Sequence, residues 1–374
     1  MSQSIATPPE SYRVRIEPVG DGSGARDGAP DLTPREARNR WLAKIRADRA
    51  ESTVSSYHYR TKHFVEWCEE QQIDQINHLN GWNLDEFEAS RRAQGLKTTS
   101  LNNELGTLKK LLEYCARIEL VDDSLPEKVV PPKVPTEDDV DETRLAEEDA
   151  LRLLEYYEND PEKRHSRAHV LLALAWFAGP PRLGAIRGLD IGDYHSEEQY
   201  VEYHHRPDEE TPLKNDARGE RAVSLPDRAV EVIDGYIEKN RFDVRDDYGR
   251  EPLLTSQRGR PSRNAIRTWM YLGTIPCLHA ECPHGNNPDS CEYIDYSKAS
   301  QCPSSRSPHQ VRTGAITWMR NNGVPVDVVS ARANASVSVI EKHYDKPDYI
   351  EEMEKRRRPH LDKLDFEDGR GAGQ

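Results

Sequence analysis

The sequence predicts a mainly α-helical protein with one small β-hairpin, divided into two domains. Three observations carry this. Apolar residues recur at helical spacing through residues 32–120, and again through most of 143–360. A stretch rich in proline and acid, 121–142, separates the two and has no periodicity. Within the second region, Tyr200–His205 and Arg221–Leu225 are short strand-like runs on either side of a polar loop, as in a hairpin. A chain of 374 residues also exceeds what one small core organises.

Residues 1–31, rich in Gly, Pro, Ser and Asp, read as a disordered arm. Residues 32–120 follow. Thr33, Pro34 and Glu36 form a capping-box start for a first helix through Trp41, Leu42 and Ile45. A second begins at Thr53 and carries Tyr57, Phe64, Val65 and Cys68. A third runs from Asn83 towards Gly95. A fourth runs from Ser100 through Leu101, Leu105, Leu108, Leu111, Leu112 and Cys115. Four helices with short connections make a compact bundle. Residues 121–142 read as a linker. Residues 143–360 form the larger domain, with a helix near Leu145, a buried helix ending at Gly179, the hairpin, and helices from Asp227 onward. Residues 277–302 are a cysteine-rich insertion, and 361–374 read as a disordered tail.

Composition narrows the function classes. The chain is 35% hydrophobic and 32% charged, with a mean hydropathy of -0.88. No apolar run approaches the ~20 residues of a membrane span, and the N-terminus lacks the pattern of a signal peptide. The expectation is a cytoplasmic protein with no membrane partner. The net charge of -14, with 37 Arg against 15 Lys, fits a salt-adapted acidic surface. Net charge does not exclude a DNA partner, because a small functional face can be basic on an acidic protein.

Four short segments carry candidate chemistry. Ser307-Pro308-His309-Gln310-Val311-Arg312 is a helix start that places His309 and Arg312 on one face, an imidazole beside a fixed cation. At Gly179-Pro180-Pro181-Arg182-Leu183-Gly184 an apolar helix stops and an arginine is presented at the turn. Such an arginine needs an anionic partner, either a structural carboxylate or a DNA phosphate. Lys214 lies in the hairpin loop, where it can reach a groove or protonate a leaving oxygen. Tyr344 follows Ile340-Glu341-Lys342-His343 near the end of a short helix.

Each segment alone is a weak signal, but their order is specific. An arginine, a hairpin lysine, H-x-x-R and then a tyrosine about 30 residues later resembles the tyrosine recombinase (phage integrase) family. The resemblance covers about residues 32–350, and in detail is to the haloarchaeal integrase and Xer-like branch. It implies an N-terminal SAM-like, four-helix core-binding domain and a C-terminal α+β catalytic domain that close around double-stranded DNA. It also implies a homo-tetramer on two duplexes. In that reading Arg182 and Arg312 clamp the scissile phosphate, and Lys214 protonates the leaving 5′ oxygen. His309 assists proton transfer, and Tyr344 is the nucleophile that forms a 3′-phosphotyrosyl bond. No cofactor is implied for catalysis.

Three positions depart from the family pattern. Ala185 stands where an acidic residue is usual, and Asn334 where a His or Trp is usual, its amide expected to hydrogen-bond the phosphate. The Lys214 loop is long, with Arg218 as a substitute. Ala185 and Asn334 motivate a rival reading, a catalytically impaired DNA-binding protein. A type IB-like topoisomerase shares the chemistry and is a second rival. For DNA grip, Arg60, Lys62, Lys97, Asn102 and Lys109 are the candidates in the first domain.

Cys277, Cys282, Cys291 and Cys302 follow a C-x4-C-x8-C-x10-C pattern with His279 and His284 interleaved. Without a secretory signal, such a cluster reads as a tetrahedral structural zinc site rather than a disulfide framework. The four cysteines are the first-choice ligands, with His279 or His284 as alternates.

Overall fold

The computed structural model describes residues 30–135 and 142–364. Most of the expected arm (1–31), the last part of the expected linker and most of the expected tail (361–374) lie outside the described residues. The chain divides into two compact units, residues 1–139 and 140–374. Both are mainly helical, and the second holds a small antiparallel sheet, as expected. Among the described residues no helix is long and apolar enough to cross a membrane.

The first unit has four helices: α1 Pro34–Ile45, α2 Glu51–Glu70, α3 Gly81–Ala93 and α4 Thr98–Arg117. The capping box at α1 forms, with Glu36 N–H donating to Thr33 Oγ1 at 3.1 Å and Thr33 N–H to the Glu36 carboxylate at 2.9 Å. On α4 the leucines at 101, 105, 108, 111 and 112 are all buried, so one face supplies the centre of the core. Phe64 of α2 meets Phe87 of α3 edge-on, ring centroids 5.2 Å apart. One ion pair is drawn into this unit, Arg91 Nε to Glu104 at 2.9 Å.

The structure corrects the expected linker. Val121, Leu125 and Val129 are buried in the first core, and Leu125–Lys128 forms a 3-10 turn. The Pro and acid content of 121–142 hid these spaced apolar residues, which cover the end of α4.

The second unit is built on α6, Arg167–Phe177, which is buried nearly all round. Packed on it are α8 Asp227–Lys239, α9 Arg263–Gly273 and α10 Pro308–Asn321. α5 Glu147–Asn159, α7 Leu183–Gly188 and α11 Val326–Ala333 complete the helices that matter here. The sheet has three strands rather than two: β1 Tyr194–His195, β2 Tyr200–Tyr203 and β3 Arg221–Ser224, in that order. The β2–β3 register pairs Tyr203 with Arg221 and Val201 with Val223.

Gly179 ends α6 with φ +73°, and a Cβ there would stand 2.7 Å from the carbonyl oxygen of Arg332. Only glycine permits both the left-handed turn and this approach. The turn at 179–182 is thereby seated against the end of α11.

Candidate functional site: an arginine cluster around a buried tyrosine

Arg182 caps the N-terminus of α7 just beyond that turn, and its Nη1 donates to the carbonyl of Asn334 at 2.8 Å. Arg312 lies one turn into α10. It is almost fully buried, donates Nη2 to the Ala333 carbonyl at 2.9 Å, and contacts the Pro180 carbonyl through Nη1. Its Nε has no hydrogen-bond partner. Burial pulls the Arg312 guanidinium down to about 10. The Tyr344 side chain opposes that pull, and the charges of Arg182 and Arg221 add to it. It therefore stays protonated at neutral pH.

Two further arginines stand beside these. Arg221 begins β3, donates Nε to the Arg332 carbonyl at 2.8 Å and Nη1 to the Gly219 carbonyl at 3.0 Å, and lies 4.3 Å over the Tyr203 ring. Arg332 returns the bond from α11, donating Nη2 to the carbonyls of Phe177 at 3.0 Å and Ser224 at 3.1 Å. β3 and α11 are thus clasped by reciprocal guanidinium–carbonyl bonds. Sequence reasoning missed both residues. The available signal was an arginine two residues before Val223, on the strand face that turns inward.

Among the described residues, none of Arg182, Arg221, Arg312 and Arg332 has a carboxylate partner. Backbone carbonyls accept from their guanidinium N–H groups without cancelling their charge. Ala185 is buried in the core and offers no acid. The support that an acidic residue would give comes instead from main-chain oxygens.

Tyr344 ends a π-helical turn, Ile340–Tyr344, and is 6% exposed. Arg312 sits over its ring, 4.6 Å from the centroid, and the His309 ring lies 5.2 Å away. Thr317 of α10 fixes the turn by donating to the Tyr344 carbonyl at 3.0 Å, while Lys346 N–H donates to the same hydroxyl at 3.0 Å. Asp345, the next residue, is held by Arg356 through both carboxylate oxygens. His309 is exposed on the first turn of α10, which Ser307 and Gln310 cap reciprocally. His309 and Arg312 therefore share a face, as their spacing predicts.

Lys214 is exposed in the β2–β3 loop. The loop is tied back by Asn334, whose Nδ2 donates to the Lys214 carbonyl at 3.1 Å and whose Oδ1 accepts from Asn215 Nδ2 at 3.1 Å. In the structure the Asn334 amide holds the lysine loop. Its backbone takes the left-handed conformation, φ 49°, that asparagine tolerates. Arg218 is exposed on the same loop.

Among the DNA-grip candidates, Asn102 donates its amide to the Pro132 carbonyl at 2.7 Å, a structural use inside the first unit. Lys62 pairs with Glu66 at 3.5 Å on the α2 surface. Lys97 is exposed at the start of α4, Arg60 is half-buried on α2, and Lys109 is half-buried on α4. The four cysteines at 277–302 lie in the chain segment between α9 and α10.

Residues 39–118 match the family described as Phage integrase, N-terminal SAM-like domain. Over 96 residues the chain is 30% identical to Tyrosine recombinase XerD of Pasteurella multocida (strain Pm70), which is 26% of this chain and 31% of that protein. The chain thus spans about a third of that relative's length. Among solved structures, the Tn1549 transposon integrase in complex with a circular intermediate DNA matches with TM-score 0.58 and 13% identity, over 89% of this chain and 100% of that one. A lambda integrase dimer bound to a COC′ core site gives TM-score 0.54 and 14% identity, over 92% and 80% of the two chains. At these identities the structural likeness is one of fold.

Proposed function

We propose that the chain is a member of the tyrosine recombinase (phage integrase) family and acts as a site-specific DNA recombinase with Tyr344 as its nucleophile, a reading that the match of its first domain and the shared fold support. One observation carries the proposal: a buried tyrosine lies against Arg312 within a cluster of guanidiniums that carbonyls hold and no described carboxylate neutralises. Such a cluster suits a phosphodiester, whose charge grows in the transition state of transfer. The orphaned Nε of Arg312 is a further donor for a phosphate oxygen.

The steps balance without an external energy source. Tyr344 Oη attacks the scissile phosphorus and loses its proton, with His309 as the assisting base. The bond to the 5′ oxygen breaks, and Lys214 gives that oxygen a proton. The product is a 3′-phosphotyrosyl linkage and a free 5′ hydroxyl. Attack by a 5′ hydroxyl from a partner strand reverses these steps, so the linkage energy is conserved. Arg182 and Arg312 clamp the non-bridging oxygens throughout. Asn334, Arg221 and Arg332 act as positioning residues, because they fix the Lys214 loop and β3 against the end of α11.

The partner in this reading is double-stranded DNA, gripped by the first unit through Arg60, Lys62, Lys97 and Lys109, with four copies acting on two duplexes. The solved integrases that share the fold are DNA complexes.

The test is a suicide duplex nicked beside the cleavage point. Wild type should give a protein–DNA adduct stable to detergent, and Tyr344→Phe should give none. An adduct that persists in Tyr344→Phe would overturn the assignment. DNA binding by wild type with no adduct would favour the rival, a binding protein of the same fold. Relaxation of one duplex without joining two would favour the topoisomerase-like rival.

A further inference from the structure

β2 ends at Tyr203 and β3 begins at Arg221, so the Lys214 loop spans residues 204–220. Loops beyond about 12–15 residues with little structure of their own are uncommon in compact domains, and those that occur are commonly functional. This loop holds two 3-10 turns, Pro207–Glu209 and Asp216–Gly219. Lys214 is exposed, and among the described residues its ammonium has no hydrogen-bond partner.

The main chain at Lys214 is nevertheless fixed on both sides. Before it, Leu213 is buried, and its N–H donates to His205 Nδ1 at 3.0 Å. Arg206 and Thr211 exchange backbone N–H···O bonds of 3.3 and 2.9 Å, which close the first half of the loop on itself. After it, Asn334 Nδ2 donates to the Lys214 carbonyl, and Asn215 Nδ2 donates back to Asn334 Oδ1, both at 3.1 Å. Gly219 is buried beneath this clasp. A Cβ there would stand 2.7 Å from Asn334 Nδ2 and 2.8 Å from the Lys214 carbonyl oxygen, so only glycine leaves those two atoms room to meet.

The clasp is built from unusual backbone. Asn215, Asp216 and Asn334 take φ 77°, 54° and 49°, the left-handed region that L residues rarely adopt. Such residues persist where their surroundings over-determine them, and they concentrate at active sites. The Asn334 side is firmly seated. Ser330 Oγ donates to the Ala335 carbonyl at 2.6 Å, and the Ala335 N–H donates to the Ser330 carbonyl at 3.2 Å. The Asn334 carbonyl accepts Arg182 Nη1. One residue thus holds Arg182 through its main chain and the Lys214 loop through its side chain.

We propose that Asn334, with Asn215 and Gly219, positions Lys214 for proton delivery, so that the Asn334 side chain serves the leaving 5′ oxygen and not the charge of the phosphate. The inference rests on the recombinase reading and assigns the clasp to one step of it. As Tyr344 Oη bonds to phosphorus, the electron pair of the P–O5′ bond goes to O5′, which takes a proton from Lys214 Nζ. A positioned general acid contributes about 10²–10⁴-fold to such a step. A lysine on a flexible four-carbon stem with no partner of its own is aimed only by the main chain that carries it. The clasp fixes that main chain at Lys214 itself and at the residue after it.

The test uses two nicked suicide duplexes that differ in one atom. One is the ordinary substrate, and the other has sulfur in place of the bridging 5′ oxygen at the scissile phosphate. A thiol has a pKa of about 8.5, whereas an alcohol lies near the value for bulk water, about 15.7. The sulfur therefore leaves as a thiolate and needs no proton. Asn334→Gly removes the amide, keeps the carbonyl that holds Arg182 and suits the left-handed backbone. Gly219→Ala removes no polar group and opens the clasp from beneath. Both should slow adduct formation on the oxygen substrate by about 10²-fold, the cost of roughly an ångström of misplacement. On the sulfur substrate both should return to within a few fold of wild type. Lys214→Ala should show the same pattern, and adding Asn334→Gly to it should cost nothing more. Variants equally slow on both substrates would overturn the proposal, because a lost phosphate contact or a damaged fold does not depend on the leaving atom. So would full activity of both variants on the oxygen substrate, or losses that multiply in the double variant. Wild type that cuts neither duplex would sink the recombinase reading itself, an outcome separate from any behaviour of the clasp variants.

Discussion

Two arginine-rich regions of the second unit use the same side chain in opposite ways. Around Tyr344, Arg182, Arg221, Arg312 and Arg332 are held by main-chain carbonyls. Near the end of α7, Arg206, Arg250 and Arg260 are held by Asp190, Asp193 and Asp246. Arg260 Nε meets Asp246 at 2.7 Å, Arg250 Nη2 meets Asp190 at 2.6 Å, and Arg206 Nη2 meets Asp193 at 2.6 Å. The second group cancels its own charge and is finished as a piece of structure. The first group satisfies geometry without cancelling its charge, which is what the proposed phosphodiester site requires. The partner of a buried arginine, rather than its burial, separates a site from a brace.

The largest effect that would break this comparison is on stability. Arg260→Met leaves the Asp246 carboxylate buried without its partner and removes one of the bonds to Asp190. Breaking a buried pair from one side costs about 3–5 kcal/mol, so denaturant unfolding should show a loss of that order. Strand cleavage, measured well below the new midpoint, should change little. An unchanged unfolding free energy would mean the network is not a brace.

The next effect is on chemistry. Arg312→Met keeps similar bulk and removes a cation that no carboxylate balances. Loss of one such donor lowers cleavage by about 10²–10³. The stability loss should be smaller than for Arg260→Met, because only carbonyls are left unpaired. Suicide-substrate kinetics and unfolding curves on both variants give a two-way table. If Arg312→Met were the less stable of the two with cleavage intact, the distinction would collapse.

The acid limb sharpens the same contrast. Burial raises the Asp246 carboxyl, but the Arg260 hydrogen bond and the Arg250 and Tyr248 N–H groups outweigh it, and the net shift is down. A carboxyl depressed in the folded state adds stability that is complete above its unfolded pKa, about 3.9. That stability is lost as pH falls through the folded value. In Arg260→Met the depression is removed, so less is lost on acidification. The gap between wild type and variant should therefore narrow below about pH 4. Unfolding curves from pH 7 down to 3 would show it, and a gap that widens would contradict the pairing.

Which parts were legible in sequence follows from how local the cause is. The capping boxes at Thr33/Glu36 and Ser307/Gln310, the leucine face of α4 and the spacing of His309 and Arg312 are fixed within four residues or by simple periodicity. The order Arg182, Lys214, His309, Arg312, Tyr344 carries the site as a pattern along the chain. The Arg221–Arg332 clasp does not show, because a carbonyl acceptor is present at every residue and leaves no mark in a sequence. The use of Asn334 to hold the Lys214 loop is likewise a meeting of residues 120 positions apart. Leu125 and Val129 were masked by the prolines and acids around them.

The smallest expected effect calibrates the others. Arg92 and Glu88 form an i,i+4 pair on α3 at 2.6 Å, with the arginine side chain 53% exposed. Here an arginine has a carboxylate partner but also has water, so losing either partner strands nothing. Exposed pairs of this kind are worth about 0.3–0.5 kcal/mol. Arg92→Ala should shift unfolding by no more than that, and the shift should vanish in molar salt, where the Debye length is about 3 Å. The Arg260→Met loss should persist in the same salt, because its carboxylates are shielded from ions by burial. A salt response common to both pairs would show that distance from water is not what distinguishes the brace. A response confined to Arg92→Ala would tie the strength of the brace to its burial, and would leave the lack of a carboxylate partner as what sets the cluster around Tyr344 apart from it.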